Sequence, residues 1–570
     1  MIDKLKADIK IKYIGAAVFL LAASVLEVLA YAFGGALSVI ASRIWLAEGI
    51  LLLGVFLYNA VKQVISDIKA KKFMVLLCFA VLLAIFISCI GNLAVSDINP
   101  DSCVQASAGL DSFALSDWGY TGKGFLGYPN RQYLLAAIPS VLFGRSVFCL
   151  HLGFAVPFLI GLTSIYIELR KWVTEHFKCD ELLALIPAGS FLVFPFITEY
   201  YRNFEQAFIP VAFTLIAASV FMRLVRKPDI LTVLALAWTG SFLADSYTTG
   251  LASWALTVFF LVLYIFGYWK KASGITPEIK FKKSMLFLEI SAVVNVITFF
   301  VATVVFGRGD RITTIGEDAS IKNVLISSVD AFIHERNVRF LGFFAGAFAI
   351  YLLFSFLGQL KIYDVIISGW MLGVVFISTY LKGVAIYGKE HLAQRFMIIV
   401  PVFIISGFIA VMRLIQKHNI RMRKRTIAIL FAFTLICGFY NFCQVNYSFR
   451  YVGNIVSIRY LIPEIRKTLK TEGLSPNDSF NIVVYTDNGL QTNMGDYAKY
   501  FYPNAECITY GTSDLVNDPE IENDNATILA SEVCFPNDAV KDGDDEYWFR
   551  EKNYVFDRDI TWYLLYRQNS

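Results

Sequence analysis

Long apolar runs recur along most of the chain and constrain its fold more than any other feature. The 570 residues are 57% hydrophobic and 17% charged, and a run of about 17 to 25 apolar residues crosses a bilayer as a helix. Thirteen such spans are predicted, near residues 13–33, 39–61, 73–95, 148–169, 182–198, 207–224, 231–244, 251–268, 285–306, 340–357, 365–381, 396–414 and 426–443. The sequence therefore predicts a polytopic α-helical membrane protein.

The Lys and Arg residues of the connecting segments predict how this protein lies in the membrane. Basic clusters occupy the amino terminus and alternate loops, at residues 4–12, 62–72, 270–283 and 413–425. Basic residues near span ends are retained in the cytoplasm. The pattern predicts a cytoplasmic amino terminus and an external position for loop 96–131, loop 307–338 and everything after Cys443. The same juxtamembrane runs set topology, so they do not indicate nucleic-acid binding.

The composition changes after the last predicted span. Residues 446–570 contain 20 Asp and Glu against 11 Lys and Arg, a net charge of −9. Segments 481–486, 527–531 and 562–566 have the pattern of strands, and 493–501 that of a helix. These features predict a separate, extracytoplasmic α/β domain. Whether its two cysteines, Cys507 and Cys534, form a disulfide is left open by the sequence.

The most polar of the predicted external segments is loop 96–131, which follows directly on the third span. It contains four aspartates, Asp97, Asp101, Asp111 and Asp117. Carboxylates just outside the hydrocarbon are placed to act on the head group of a lipid-linked substrate. Taken singly, each aspartate is also compatible with an ordinary turn. The cluster makes this loop the candidate active site.

The other predicted external loops combine charged and aromatic residues. They are TEYYRNFEQ (198–206), ADSYTTG (244–250), the pair 307–311 and 333–339, and 380–395. Ionisable residues at the membrane edge are costly and indicate function by default. Arg202, Asp245 and Arg395 are equally compatible with helix capping or interfacial contact. His391 has no second His or Cys at ligand spacing, so it is weak evidence for a metal site.

Four segments carry a resemblance to a known family: residues 127–162 (GYPNRQYLL onward), 194–227 (FPFITEYYRNFEQ onward), 239–263 (TGSFLADSYTTG onward) and 392–412 (LAQRFMIIVP onward). In this order they resemble bacterial GT-C glycosyltransferases related to dolichyl-phosphate-mannose protein mannosyltransferases. Thirteen spans and an external carboxy-terminal domain also resemble the layout of the lipid A aminoarabinose transferase branch. On this resemblance the chain divides into two additional spans (1–72), a GT-C-like module (73–445) and the soluble domain (446–570).

The resemblance implies a transfer of sugar from a polyprenyl phosphate to an extracytoplasmic acceptor, which is a protein, a wall polymer or a lipid. The family's loop aspartate matches Asp97 best and Asp101 second, although Asp97 is followed here by Ile-Asn-Pro and not by a second acid. One of these aspartates is the expected general base. Arg202 and Arg395 are the expected phosphate clamps, because guanidinium groups bind phosphate oxygens in pairs.

Further substrate-binding residues are expected in the same loops. They are Tyr201, Glu205, Asp245, Lys389 and His391. No cofactor is required by these residues; a divalent cation such as Mg²⁺ or Mn²⁺ is compatible with the aspartates, but no spacing demands it. The expected partners are the lipid-linked donor, membrane lipids and the acceptor.

Two other functions remain open on the sequence. A transporter or flippase for lipid-linked sugars would need ionisable residues deep within spans, of which Glu27, Glu48 and Glu289 are the main ones. A polysaccharide polymerase would be expected to have its large polar loop late in the chain, whereas here that loop is early.

Overall fold

In the computed structural model, helices make up most of the chain and a small sheet lies near the carboxy terminus. The structure describes residues 2–33, 35–91, 130–194, 208–246, 249–274, 283–302, 338–381, 396–449, 453–486, 494–516, 525–531, 547–550 and 563–567, with a few single positions between them. All structural statements below concern these residues.

Seventeen α-helices are described. In chain order they are α1 (Ile2–Phe33), α2 (Gly35–Lys69), α3 (Phe73–Gly91), α4 (Asn130–Phe143), α5 (Val147–Glu175), α6 (Leu185–Ser190), α7 (Ile209–Arg226), α8 (Ile230–Ala244), α9 (Gly250–Ile265), α10 (Trp269–Ser273), α11 (Lys283–Phe300), α12 (Val338–Leu357), α13 (Ile362–Leu381), α14 (Ile399–Lys417), α15 (Lys424–Phe449), α16 (Gly453–Thr471) and α17 (Met494–Phe501).

Helical structure occurs within all thirteen predicted spans. Five of the described helices, α1, α2, α5, α7 and α14, are long and apolar enough to cross a membrane, and seven shorter apolar helical segments accompany them. The expected fold class, a polytopic helical protein with a small carboxy-terminal α/β unit, is confirmed.

The fifth predicted span differs from a continuous helix. Between Glu181 and Val193 the chain forms a 3₁₀ turn, the short helix α6 and a second 3₁₀ turn. Pro187 lies in this stretch and has no N–H to donate to the preceding turn. Gly189 packs closely on α15, since a Cβ there would lie 3.2 Å from Thr434 Cγ2. The proline and this close approach explain why the span is broken into short pieces.

The two amino-terminal helices pack tightly on the rest of the bundle. Asn295 of α11 donates its Nδ2 hydrogens to the carbonyl oxygen of Leu20 and to Ser24 Oγ, at 3.1 and 3.0 Å. The rings of Trp45 and Trp238 stack 4.9 Å apart, and Trp238 Nε1 donates to the carbonyl oxygen of Trp45. Buried polar pairs of this kind fix the position of α1 and α2 against α8 and α11.

The carboxy-terminal part is a five-stranded sheet with α16 and α17. Its strands are β1 (Asn481–Tyr485), β2 (Glu506–Tyr510), β3 (Thr527–Ser531), β4 (Tyr547–Arg550) and β5 (Tyr563–Arg567), in the order β2-β1-β3-β5-β4. Strands β1, β2 and β3 are parallel, and β5 pairs antiparallel with β3 and β4. Strand β1 is buried along its whole length, as expected for the centre of a parallel sheet.

Candidate active site at the domain end of the bundle

One end of the helix bundle is closed by a buried ion-pair cluster. The Arg170 guanidinium, at the end of α5, donates from Nη1 to Asp67 Oδ2 at 2.6 Å and from Nη2 to Glu181 Oε2 at 2.7 Å. The Arg170 and Asp67 side chains are only 6% and 3% exposed. Lys72 completes the cluster through Glu181, at 2.9 Å. This group joins the ends of α2, α3 and α5.

Further ion pairs lie at the same end. Arg226 at the end of α7 pairs with Glu168 at 2.9 Å, and Arg413 near the end of α14 pairs with the fully buried Asp364. We call this the ion-pair end, defined by Asp67, Arg170, Glu181, Asp364 and Arg413. It is the end at which the basic loops 62–72 and 413–425 lie. The named carboxylates therefore each have a cationic partner within the fold.

The carboxy-terminal unit contacts the opposite end of the bundle. Ser146 caps the first turn of α5 by accepting the N–H of Cys149, and 24 residues of helix separate it from Arg170, about 36 Å. The Tyr500 hydroxyl shares a hydrogen bond of 2.6 Å with Ser140 Oγ and donates to the carbonyl oxygen of Ser146 at 3.2 Å. We call this the domain end.

Arg145 holds the corner between α4 and α5 to the same unit. Gly144 ends α4 at φ +86°, a left-handed conformation that favours glycine. The turn presents Arg145 to α17, where Nη1 donates to the carbonyl oxygens of Lys499 and Tyr500, both at 3.1 Å. Burial raises the pKa of Tyr500 above its usual value, so its hydroxyl remains a donor. The contact therefore joins the carboxy-terminal end of α4 to the carboxy-terminal unit.

Asp245 lies at the domain end of α8. Helix α8 begins beside Asp229, which accepts the Thr232 N–H and pairs with Arg223 at the ion-pair end, and it ends sixteen residues later at Asp245. The Asp245 side chain is 2% exposed, and its N–H donates to the carbonyl oxygens of Ser241 and Phe242. A carboxylate buried at this depth is expensive unless it has a function or a specific partner.

The turn that carries Asp245 requires a glycine. A Cβ on Gly250, the first residue of α9, would lie 2.0 Å from Ser246 Oγ and 2.7 Å from the carbonyl oxygen of Leu243. Ser246 itself is fully buried and donates to that same carbonyl. Only glycine at position 250 therefore allows α9 to start this close to the end of α8.

An apolar cavity of about 90 Å³ lies between α7, α9, α13 and α14. Thr214 and Ser253 are among its polar lining residues, and they bond to each other at 2.8 Å. The remaining lining is mostly aromatic and aliphatic, including Phe221, Phe260 and Trp269. Its walls reach from the middle of the bundle to Trp172 and Tyr363 near the ion-pair end. An apolar space of this kind suits a hydrocarbon group better than water.

Of the nine predicted site residues, Asp245 is the one that the structure describes. Asp97, Asp101, Tyr201, Arg202, Glu205, Lys389, His391 and Arg395 lie outside the described residues. Their roles stay predictions. Helices α7 and α14 both begin at the end of the bundle where Asp245 lies, because both end at the ion-pair end. Arg202 and Arg395 precede these two helices in the sequence.

The described residues give no support for metal binding or for a reactive thiol. Within the described ranges no group of three or more His, Cys, Asp or Glu residues is arranged to hold a metal ion. Cys507 of β2 is a free thiol, whose pKa burial raises to about 12, which makes it a poor nucleophile at neutral pH. Cys534 lies outside the described part of the chain.

Several functional contacts were missed by the sequence reasoning. No predicted span covers helix α4, because its 14 residues are too few to cross a membrane. The contacts of Arg145 and Tyr500 could not be predicted from the sequence, because their partners are backbone carbonyls and a serine far away in the chain. Asp67 and Glu181 could have been noticed as acids beside a predicted cytoplasmic end, but their common partner Arg170 could not.

No protein-family profile and no curated protein matches this sequence. Solved structures similar to this chain include ArnT from Cupriavidus metallidurans bound to undecaprenyl phosphate, at 12% identity over 86% of this chain and 98% of the other. They also include the same protein in the apo state, at 13% identity over 87% and 98%. Both have a TM-score of 0.47. ArnT is an aminoarabinose transferase of the GT-C family, the branch that the sequence resembles.

Proposed function

We infer that this protein is a membrane glycosyltransferase that moves a sugar from a polyprenyl phosphate to an acceptor on the side of the carboxy-terminal domain. The observation that carries this proposal is the position of Asp245, the described member of the predicted site. Its side chain is 2% exposed. It lies at the domain end of α8, in a connection whose sequence, ADSYTTG, is polar.

The donor class follows from the sequence resemblance, and the local chemistry is compatible with it. A charged phosphate at the membrane edge needs cations, and Arg202 and Arg395 are proposed to bind it as planar, two-donor groups. The acceptor hydroxyl needs a base, proposed to be Asp97, with Asp101 second. Asp245, held rigidly by the α8–α9 turn, is proposed to orient the sugar hydroxyls rather than to exchange protons. A divalent cation bound between the loop aspartates and the phosphate would also neutralise the negative charge of the phosphate.

The decisive experiment is a donor-consumption assay with full-length protein in lipid nanodiscs. A panel of undecaprenyl-phosphate sugars is incubated with the protein, and each donor and the released lipid phosphate are quantified by mass spectrometry. We expect one donor to be converted to free undecaprenyl phosphate as acceptor is added. If every donor of the panel stays intact with membrane extract as acceptor, while the protein remains monodisperse, the transferase proposal is wrong.

The side of the membrane on which the domain end lies can be tested. The basic loops at the ion-pair end favour a cytoplasmic location for that end, which would put residues 453–567 outside. Protease added to intact cells, with any wall removed, is expected to release fragments of the carboxy-terminal domain. A tag on the amino terminus should survive the same treatment, which makes it the internal control. If the domain is cleaved only after lysis, it lies in the cytoplasm and the predicted orientation is wrong.

A transporter of lipid-linked sugars is the second candidate, and one residue favours it. Glu289 of α11 is completely buried, and neither of its carboxylate oxygens has a hydrogen-bond partner among the described residues. Buried acids within spans often mark proton or substrate paths. The donor assay separates the two functions, because a transporter moves the donor between leaflets without breaking the bond between sugar and phosphate.

A further inference from the structure

The charges of the carboxy-terminal region are sharply segregated along the chain. Residues 446–470 hold five of the region's 11 Lys and Arg but only one of its 20 Asp and Glu. Residues 471–570 therefore have six basic against nineteen acidic residues, a net charge of −13. Most of the short basic segment is helix α16, the first element after the last predicted span. A strongly acidic domain thus has its most cationic helix, α16, next to the membrane segment.

Helix α16 presents these cations on one face. Leu461, Ile462, Ile465 and Leu469 are buried in the domain, whereas Arg466, Lys467 and Lys470 are exposed. The buried face is held in place by Tyr502, whose hydroxyl donates to the carbonyl oxygen of Ile462 at 2.8 Å. We call Arg466, Lys467 and Lys470 the cationic stripe. The fold of the domain therefore fixes which way the stripe points.

The stripe lies beside the place where α5 starts. Arg466 Nη2 approaches the carbonyl oxygen of Arg145 at 3.4 Å, two residues before α5. From Val147 to Glu168 the helix is about 31 Å long, which matches the hydrocarbon thickness of a bilayer of about 30 Å. Glu168 belongs to the charged ion-pair end. The α4–α5 corner and the cationic stripe are therefore at the level of the lipid headgroups.

Apolar side chains are exposed at the same corner. Leu142 and Phe143 are 66% and 72% exposed, and Val141 and Phe148 about half. We call these four residues the corner patch. Apolar groups flanked by cations at the edge of a membrane match a phospholipid, which offers acyl chains and a phosphate in the same arrangement. A soluble anion or an acidic polymer would use the cations but leave the corner patch in water.

We propose that the cationic stripe and the corner patch form a docking surface for anionic phospholipid headgroups, which fixes the carboxy-terminal domain on the membrane. The rest of the domain, with its net charge of −13, is repelled by an anionic surface, whereas the α16 side is attracted to it. Each basic residue near such a surface contributes about 1 kcal/mol, equivalent to about fivefold in binding. This surface is independent of the proposed transfer reaction.

Hydrogen exchange of the full-length protein tests the proposal. The protein is placed in nanodiscs of phosphatidylcholine alone or with phosphatidylglycerol, and the exchange of α16 amides is compared with that of β1. We expect phosphatidylglycerol to slow α16 exchange on the order of tenfold and to leave β1 unchanged. High salt should abolish the difference in the unmodified protein, since exposed charges are screened.

Two triple variants sharpen the test. Arg466→Gln with Lys467→Gln and Lys470→Gln should lose the lipid effect, whereas Arg466→Lys with Lys467→Arg and Lys470→Arg keeps three charges and should retain it. A Gln variant that keeps the full effect, or a salt-insensitive effect in the unmodified protein, overturns the proposal. Equal protection by soluble glycerol phosphate, or by a soluble acidic polymer, in phosphatidylcholine nanodiscs would also overturn it, in favour of an anion site or a polymer site.

Discussion

Replacing Asp97 with asparagine is expected to lower the rate of sugar transfer by about 10² to 10⁴-fold while donor binding is largely kept. Asparagine has nearly the same size and still accepts hydrogen bonds, but it cannot take a proton from the acceptor hydroxyl. Asp97 is preferred because it follows directly on the third predicted span and has the least freedom to leave the membrane surface. The loss corresponds to about 3 to 5 kcal/mol of transition-state stabilisation.

Asp101→Asn is the matched control, since it makes the same change four residues along the same loop. The rates are measured in nanodiscs under single-turnover conditions, and donor affinity is measured separately by titration. An inactive Asp101→Asn beside a normal Asp97→Asn would move the base to Asp101. Full activity in both variants would remove the loop from the chemistry and favour the transporter.

Replacing Arg170 with glutamine should destabilise the protein by about 3 to 5 kcal/mol. The substitution leaves Asp67 and Glu181 near each other at the ion-pair end, where Asp67 is 3% exposed and can neither reach water nor find another cation. Lys72 already bonds Glu181 and compensates only one of the two carboxylates. Denaturant titration in mixed micelles, monitored by tryptophan fluorescence, measures the change in the free energy of unfolding.

Arg223→Gln provides the comparison for this prediction. Arg223 pairs with Asp229 at 3.2 Å, but the two side chains are 25% and 33% exposed, so its loss should cost no more than about 1 kcal/mol. Arg170→Lys should recover part of the stability, because one ammonium cannot bond both carboxylates as a guanidinium fork does. Equal small effects of Arg170→Gln and Arg223→Gln would mean that burial does not strengthen the cluster.

The helices could be predicted from the sequence because a bilayer leaves the backbone few alternatives. A run of apolar residues must satisfy its own N–H and C=O groups, so hydrophobicity alone indicates a helix. The strands at 481–485 and 527–531 were recognisable for a related reason, since buried parallel strands are continuously apolar. Strand β2, with the sequence ECITY, was missed because its residues are partly exposed and mixed in character.

The candidate site was harder to predict from the sequence than the helices, because it depends on contacts between distant parts of the chain. The segment around Asp245 is polar in sequence, but neither the burial of Asp245 nor the tight approach of Gly250 to Leu243 and Ser246 can be predicted from a local pattern. The Tyr500 contact joins residues 360 positions apart. A single sequence indicates which types of side chain a loop carries. The packing of the helices decides which loops come together.

The attachment of α1 to α11 has a consequence for how the protein is made. Asn295 bonds Ser24 across 271 residues of sequence, and a ribosome adding about 5 to 20 residues per second needs about 15 to 55 s to synthesise that length. During this interval the first two helices are already in the lipid, yet Asn295, which donates to α1, has not been synthesised. Ser24 is satisfied by the Leu20 carbonyl of its own helix, but Glu27, which is 2% exposed in the folded protein, must be shielded by α2 or by another protein. Biogenesis of this protein should therefore be sensitive to insertion factors that hold early helices until late ones arrive.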